Sequence, residues 1–415
     1  MTTRPPAHAS TGQLRLFLGG QAVSLLGDGL ALLVVPLLAL ELSSSPVVSG
    51  ISAASVTIGY LCVGVPAGVV VDRFGPWRVL VAMDALRAVL FTALYALAVT
   101  DLLTVPLLLT LGLLAGAGHV FFETAVTVAV KDLCADRDLL RANSVLEVSS
   151  QLALVLGPVT VGALAATVGL DAALLADAVT FLVSLASLLA VWSLRSPVRL
   201  PVSQLRIGDI WREFRAGLRY LLSIRILVVL TALQMVVNFG LAVEKLLFFY
   251  AKDTLGLATS LVSVVVAAGG VGGLVGALTA PWFGYRLGHL RVFAGGVLLA
   301  GIATAAMSLA HTWLVLAAAN AVYLWALVTA SLVNRTQRQL MVRSDMLGRV
   351  TSTVKLLFLA VDPIGVLVAG SLTLALGGDP RFVFLGAGVL VAGAAIAAWY
   401  SGLRSYRRAE MSNLR

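Results

Sequence analysis

Seven carboxylates stand inside long apolar stretches of this chain: Asp28, Asp84, Glu123, Glu147, Asp177, Glu244 and Asp362. A charge at the middle of a bilayer costs about 2.5–3.5 kcal/mol on insertion scales, which makes an acid at that depth a functional candidate. Two chemistries suit such a group: it exchanges a proton, or it meets a cation. Asp28 is the strongest candidate, because it has no nearby charge in its own stretch. At about 1.5 Å per residue it lies roughly 20 Å from the polar end. Asp362 lies at similar depth. The competing reading is a carboxylate bonded to neighbouring polar groups. His119 and Glu123 stand four residues apart and share a helix face. They form either a proton relay, since histidine titrates near neutral pH, or a local ion pair. Glu244 and Lys245 are adjacent and point apart. Asn320, Tyr323 and Trp325 offer stacking and hydrogen bonds to a bulky substrate, or else packing.

The elements that carry these residues are membrane helices. The chain has 415 residues, 60% of them hydrophobic and only 12% charged. Soluble domains carry about 25% charged residues, so the solvent here is lipid. Twelve apolar runs are long enough to cross a bilayer, near 14–40, 47–71, 78–99, 104–130, 142–168, 171–194, 226–250, 260–284, 290–310, 313–333, 350–376 and 381–402. Turns are expected at Ser43–Pro46 and Gly377–Pro380. The polar start of the chain lacks the pattern of a cleavable signal peptide. The net charge of +9 is a matter of topology. Of 29 Lys and Arg, 24 fall on the side of the termini, two (Lys252 and Arg381) on the opposite side, and three (Arg87, Lys245 and Lys355) inside spans. The positive-inside rule then places both termini in the cytoplasm, and no nucleic-acid partner is needed. Cys62 and Cys134 are far apart, the four histidines are dispersed, and neither a phosphate loop nor a metal or nucleophile motif is present. No enzyme is expected, and no metal or organic cofactor.

The halves repeat. Asp72-Arg73-Phe74-Gly75-Pro76-Trp77-Arg78 and Tyr285-Arg286-Leu287-Gly288-His289-Leu290-Arg291 share an Arg-x-Gly-x-x-Arg frame at an offset of 213. Asp138–Ser144 echoes Asp345–Thr351 at an offset of 207, and Gly157-Pro158 matches Asp362-Pro363 at 205. Two six-helix bundles are therefore expected, 1–194 and 226–415, with a linker over 195–225. In that linker Ile207, Ile210, Trp211, Phe214 and Leu218 follow helical spacing. Arg206, Arg212, Arg215 and Arg219 lie elsewhere on the wheel, as in a helix lying on the membrane surface. Gly269/Gly273 and Gly272/Gly276 give the small-xxx-small spacing of close helix packing. The prolines at 158 and 363 remove backbone bonds and bend their helices, either for rocking or for packing.

The segment Gly68-Val-Val-Val-Asp72-Arg73-Phe74-Gly75 resembles the loop signature of the major facilitator superfamily. Gln21-Ala-Val-Ser24-Leu-Leu-Gly27-Asp28-Gly29, Arg141-Ala-Asn143-Ser144 and Leu156-Gly157-Pro158-Val-Thr-Val-Gly162 are similar to its branch of macrolide efflux pumps and siderophore exporters. Pro76-Trp77 interrupts the usual basic pair before Arg78, and Tyr285 replaces the acid of the second copy. The resemblance implies an all-α fold of twelve transmembrane helices in two pseudo-repeats, working as a monomer by alternating access. It implies that the first and fourth spans line a cavity, which places Asp28, His119 and Glu123 on a substrate and proton path. It implies proton-coupled efflux of a small hydrophobic or amphipathic molecule across a bacterial-type inner membrane. Uptake of a metabolite by symport or uniport is the alternative. Gly68, Asp72, Arg73, Gly75 and Arg78 are expected to form a gate together with Asp84 and Arg87, as a cytoplasmic charge cluster, or else a static clamp that only orients the loop. Gly157, Pro158, Gly162 and Pro363 are expected at helix bends.

Overall fold

A computed structural model describes residues 10–43, 48, 51–52, 55–193 and 207–403. It is helical throughout, with no strand among the described residues. Twelve of its helices are long and apolar enough to cross a membrane, as the hydropathy predicts. Six precede the linker: α1 (Thr11–Ser43), α2 (Ser55–Phe74), α3 (Pro76–Val99), α4 (Val105–Leu133), α5 (Leu139–Thr167) and α6 (Asp171–Ser193). The linker helix α7 spans Ile207–Ser223. Arg206 and the start of the linker lie outside the described residues, as do positions 44–46 of the first expected turn. Then come α8 (Arg225–Leu241), α9 (Thr259–Leu287), α10 (His289–Met307), α11 (Trp313–Met341), α12 (Leu347–Ala375) and α13 (Arg381–Ala398). Past Leu241 the chain continues as tighter and wider turns through Thr254, so the seventh span runs Arg225–Lys252.

Local chemistry sets the ends of these helices. Ser10 and Gln13 bond reciprocally, side chain to backbone, at the start of α1, which satisfies two of its orphan N–H groups. Gly75 (φ 84°, ψ 146°) and Gly288 (φ 85°, ψ 144°) take the same left-handed turn before α3 and α10. An L side chain is strained there. The repeat seen in the letters is thus a repeat of backbone geometry. Gly377 and Gly378 turn with positive φ, and Asp379 accepts the Arg381 N–H at 2.9 Å, as the second expected turn requires.

The chain forms two compact units: residues 1–218 with 342–356, and residues 219–341 with 357–415. The first ten residues of α12 therefore belong with the first unit, across the expected boundary. In each unit the second and third helices of the half pack on the fourth, and the sixth packs on the first and third. The first unit's core centres on Leu30, Val34, Leu38, Phe91, Leu94 and Phe181. Its α1 and α5 meet without side chains between them. A Cβ on Gly157 would lie 2.8 Å from the Gly29 Cα. In the second unit α9 meets α11 the same way, and a Cβ on Gly272 would lie 2.8 Å from the Ala321 Cα. Small residues allow this approach, and dispersion between the backbones holds it.

Candidate functional site

Asp28 lies midway along α1 and is not alone. Arg87, from α3, reaches it at 3.1 Å through Nη1. His119, from α4, stands 3.2 Å away through Nδ1. Arg87 also donates to Asp84 on its own helix and to the Ser24 hydroxyl at 3.3 Å. Its side chain is 1% exposed, and the guanidinium sits between the Phe122 and Phe181 rings, 4.0 and 4.3 Å from their centroids. Such stacking desolvates a guanidinium and compensates it with the rings' π-faces.

The chain of polar groups continues past His119. Its Nε2 lies 3.7 Å from the Glu123 carboxylate, one turn further along α4. Glu123 in turn accepts hydrogen bonds from the Tyr60 hydroxyl of α2 and from the Lys355 ammonium of α12. Lys355 lies over the Tyr60 ring, 4.3 Å from its centroid. Asp84, Arg87, Asp28, His119, Glu123 and Lys355 thus form one connected series inside the first unit. Asp28 and His119 remain about one-fifth exposed and Glu123 more so, which leaves the middle of the series open to ligand or water. Asp177 on α6 is fully buried beside Gly27, and neither carboxylate oxygen has a hydrogen-bond partner among the described residues.

A cavity of about 290 Å³ opens onto this series. Asp28, Arg87 and His119 form its polar pole. Its walls are apolar, with Leu32, Val35 and Phe91 among them. An apolar chamber with a few convergent polar groups is the usual form of a small-molecule site.

Two sequence expectations change here. Asp84 and Arg87 do not join the loop charges as a cytoplasmic cluster. They stand two to three turns into α3, buried, and face Asp28, because a cation at that depth needs an acid within reach. The loop residues do something else. The Asp72 side chain is buried and accepts the backbone N–H groups of Gly348 and Arg349, each at 3.0 Å, at the first turn of α12. Those groups have no partner within their own helix, and the helix dipole favours an anion there. Arg349 adds an ion pair at 3.4 Å. Gly68 permits the approach, since a Cβ there would lie 2.5 Å from the Gly348 carbonyl oxygen. Arg73 and Arg78 are half-buried.

In the second unit the expected residues separate. The Tyr323 hydroxyl donates to Glu244 at 3.4 Å, and the charge of Asp362 acts on both. Lys245 is exposed. Asn320 and Trp325 bond to α9. Asn320 is 2% exposed and donates to the Val265 carbonyl at 3.0 Å, while Trp325 donates to Thr279 at 3.0 Å. Both lie on the face of α11 that packs on the glycines of α9. Of the residues expected at helix bends, Gly157 makes a close approach but Gly162 has nothing within 4 Å of a Cβ. The helices α5 and α12 continue through Pro158 and Pro363. Tyr60 and Lys355 were not anticipated as site residues. Lys355 carried a usable signal, as one of only three cations inside spans.

The family model of the Major Facilitator Superfamily matches residues 17–361. The chain belongs to that superfamily. It is a multi-pass membrane transporter of small molecules and not an enzyme. The multidrug efflux pump Tap of Mycobacterium tuberculosis is 26% identical over 394 residues, covering 93% of each chain. A bacterial homologue of the iron transporter ferroportin, solved in an outward-facing state, aligns with TM-score 0.76 at 20% identity over 93% of this chain and 99% of that one. The human organic anion transporter MFSD10 aligns with TM-score 0.74 at 17% identity over 93% and 98%. The solved structures share the fold of this transporter.

Proposed function

We propose that this transporter exports small hydrophobic or amphipathic molecules of the drug, macrolide or siderophore type in exchange for protons, by alternating access. The observation that carries the reading is Asp28, held between Arg87 and His119 at the wall of an apolar cavity. The series contains three carboxylates, two permanent cations and one histidine. With neutral histidine one negative charge is unbalanced, and either a proton or a cationic substrate balances it. A proton taken up at Glu123 passes to His119 Nε2, and His119 Nδ1 yields its own to Asp28. Neutral Asp28 then releases the cation it held. This favours substrates with a basic nitrogen. The matched relative is itself named as a multidrug efflux pump.

The Asp72 contact with the start of α12 acts in this reading as a latch between segments from the two sequence halves, made and broken during the transport cycle. The charge asymmetry of the loops supports an inner-membrane protein with both termini in the cytoplasm, and a single chain supplies every group invoked. The test is reconstituted vesicles with an imposed pH gradient, screened with labelled macrolides, dyes and siderophores. Proton-driven flux of at least one cationic compound is expected. No coupled flux for any compound, or full coupled flux with Asp28→Asn, would sink the reading.

A further inference from the structure

Between α1 and α5, away from the carboxylate series, lies a second groove of about 650 Å³. Its origin is geometric. The two helices touch backbone to backbone at Gly29, Ala153 and Gly157 and part towards their N-terminal ends, where a Cβ on Gly19 would meet nothing within 4 Å. The wall left behind is apolar, with Leu14, Leu18 and Ala22 on α1 facing Val145 on α5. The rim is cationic. Arg15, Arg137 and Arg141 line it, against the single carboxylate of Asp138. Arg137 is paired with Asp138 at 3.5 Å, whereas Arg15 and Arg141 are exposed and have no ion-pair partner among the described residues.

Arg15 lies in the second turn of α1, about 6 Å from its first residue, which is the depth of the headgroup layer at the end of a span. Guanidinium groups take phosphate in paired hydrogen bonds. A cationic rim above an apolar trough matches one kind of molecule: an amphiphile with an anionic head and a hydrocarbon tail. Residues 1–9 carry Arg4 and no acid. We propose that the groove binds one anionic phospholipid of the surrounding bilayer, its phosphate on Arg15 and Arg141 and an acyl chain along Leu18, Ala22 and Val145. Basic pockets between membrane helices are a recurring place for such headgroups.

The test is native mass spectrometry of the full-length protein, delipidated and titrated with phosphatidylglycerol or with phosphatidylcholine of the same acyl chains. One phosphatidylglycerol is expected to be retained about tenfold more strongly. Arg15→Gln with Arg141→Gln should reduce it to the phosphatidylcholine level. Gly19→Phe, which fills the groove and leaves both arginines in place, should remove the bound lipid as well. Equal retention of the two lipids would overturn the assignment. So would phosphatidylglycerol retention unchanged in both variants, and displacement of the lipid by inorganic phosphate would assign the rim to a free anion instead.

Discussion

The two units are built alike and charged unlike. Both place their helices in the same pairings, and both turn the loop after the second helix at a left-handed glycine, Gly75 in one and Gly288 in the other. Inside the first unit six ionisable side chains join across four spans, from Asp84 to Lys355. Inside the second, neutral polar contacts join helices among the described residues: Asn320 to Val265, Trp325 to Thr279, and Asn334 to Gln234 at 3.0 Å. The difference teaches that the repeat supplies a scaffold and leaves the chemistry free. Amide and indole bonds lock helices at little cost, whereas each buried charge needs its own opposite. In the first unit each charge of the series stands within reach of an opposite one.

The largest expected effect tests that division directly. Asp28→Asn is expected to lower proton-driven transport about a hundredfold in vesicles, while Glu244→Gln keeps most of it. Equal losses would place the working site in both units. Next comes Arg87. Replacing it by Met leaves the fully buried Asp84 without its cation and is expected to cost about 3–5 kcal/mol in denaturant unfolding of the purified protein. In the second unit Arg338 lies over the Phe358 ring at 5.6 Å, so Arg338→Met should cost only about 0.5–1 kcal/mol.

Smaller effects sharpen the contrast. Lys355 and Glu123 are each about one-third exposed, so their coupling in a double-mutant cycle of Lys355→Met and Glu123→Gln should be about 1 kcal/mol. A coupling of zero would remove Lys355 from the series. The loops provide the last comparison. Asp72→Ala loses the cap on α12 and should cost about 1 kcal/mol, whereas Tyr285→Phe should change stability by no more than about 0.5 kcal/mol. Gly75→Ala and Gly288→Ala should each cost about 1 kcal/mol, since the strain is the same at both turns. Unequal costs there would show that the two loops differ by more than the acid.

Much of this was legible before any coordinates. Hydropathy placed twelve spans, and the described residues form twelve helices long and apolar enough to cross a membrane. The shared loop frame foretold the matching glycine turns. Asp28 stands out by type and depth, His119 and Glu123 by their shared helix face and the family resemblance, and the structure brings the three together. The partners were not legible. Arg87 was grouped with loop charges close to it in sequence, and Asn320 and Trp325 were grouped with Tyr323, a neighbour on the same helix. In each case sequence distance stood in for direction, and a helix turns about 100° per residue, so close neighbours face different ways.

By itself the sequence determined that this is a membrane protein, where its helices run, how its halves correspond and which charges are dear. Those properties follow from composition and from periods short enough to read along one helix. Only the tertiary structure decided which charges meet. Asp28 finds Arg87 across 59 residues, and Glu123 finds Lys355 across 232. Such contacts depend on how each helix is rotated and where it crosses its neighbour, and the packing of small residues such as Gly29 against Gly157 sets both.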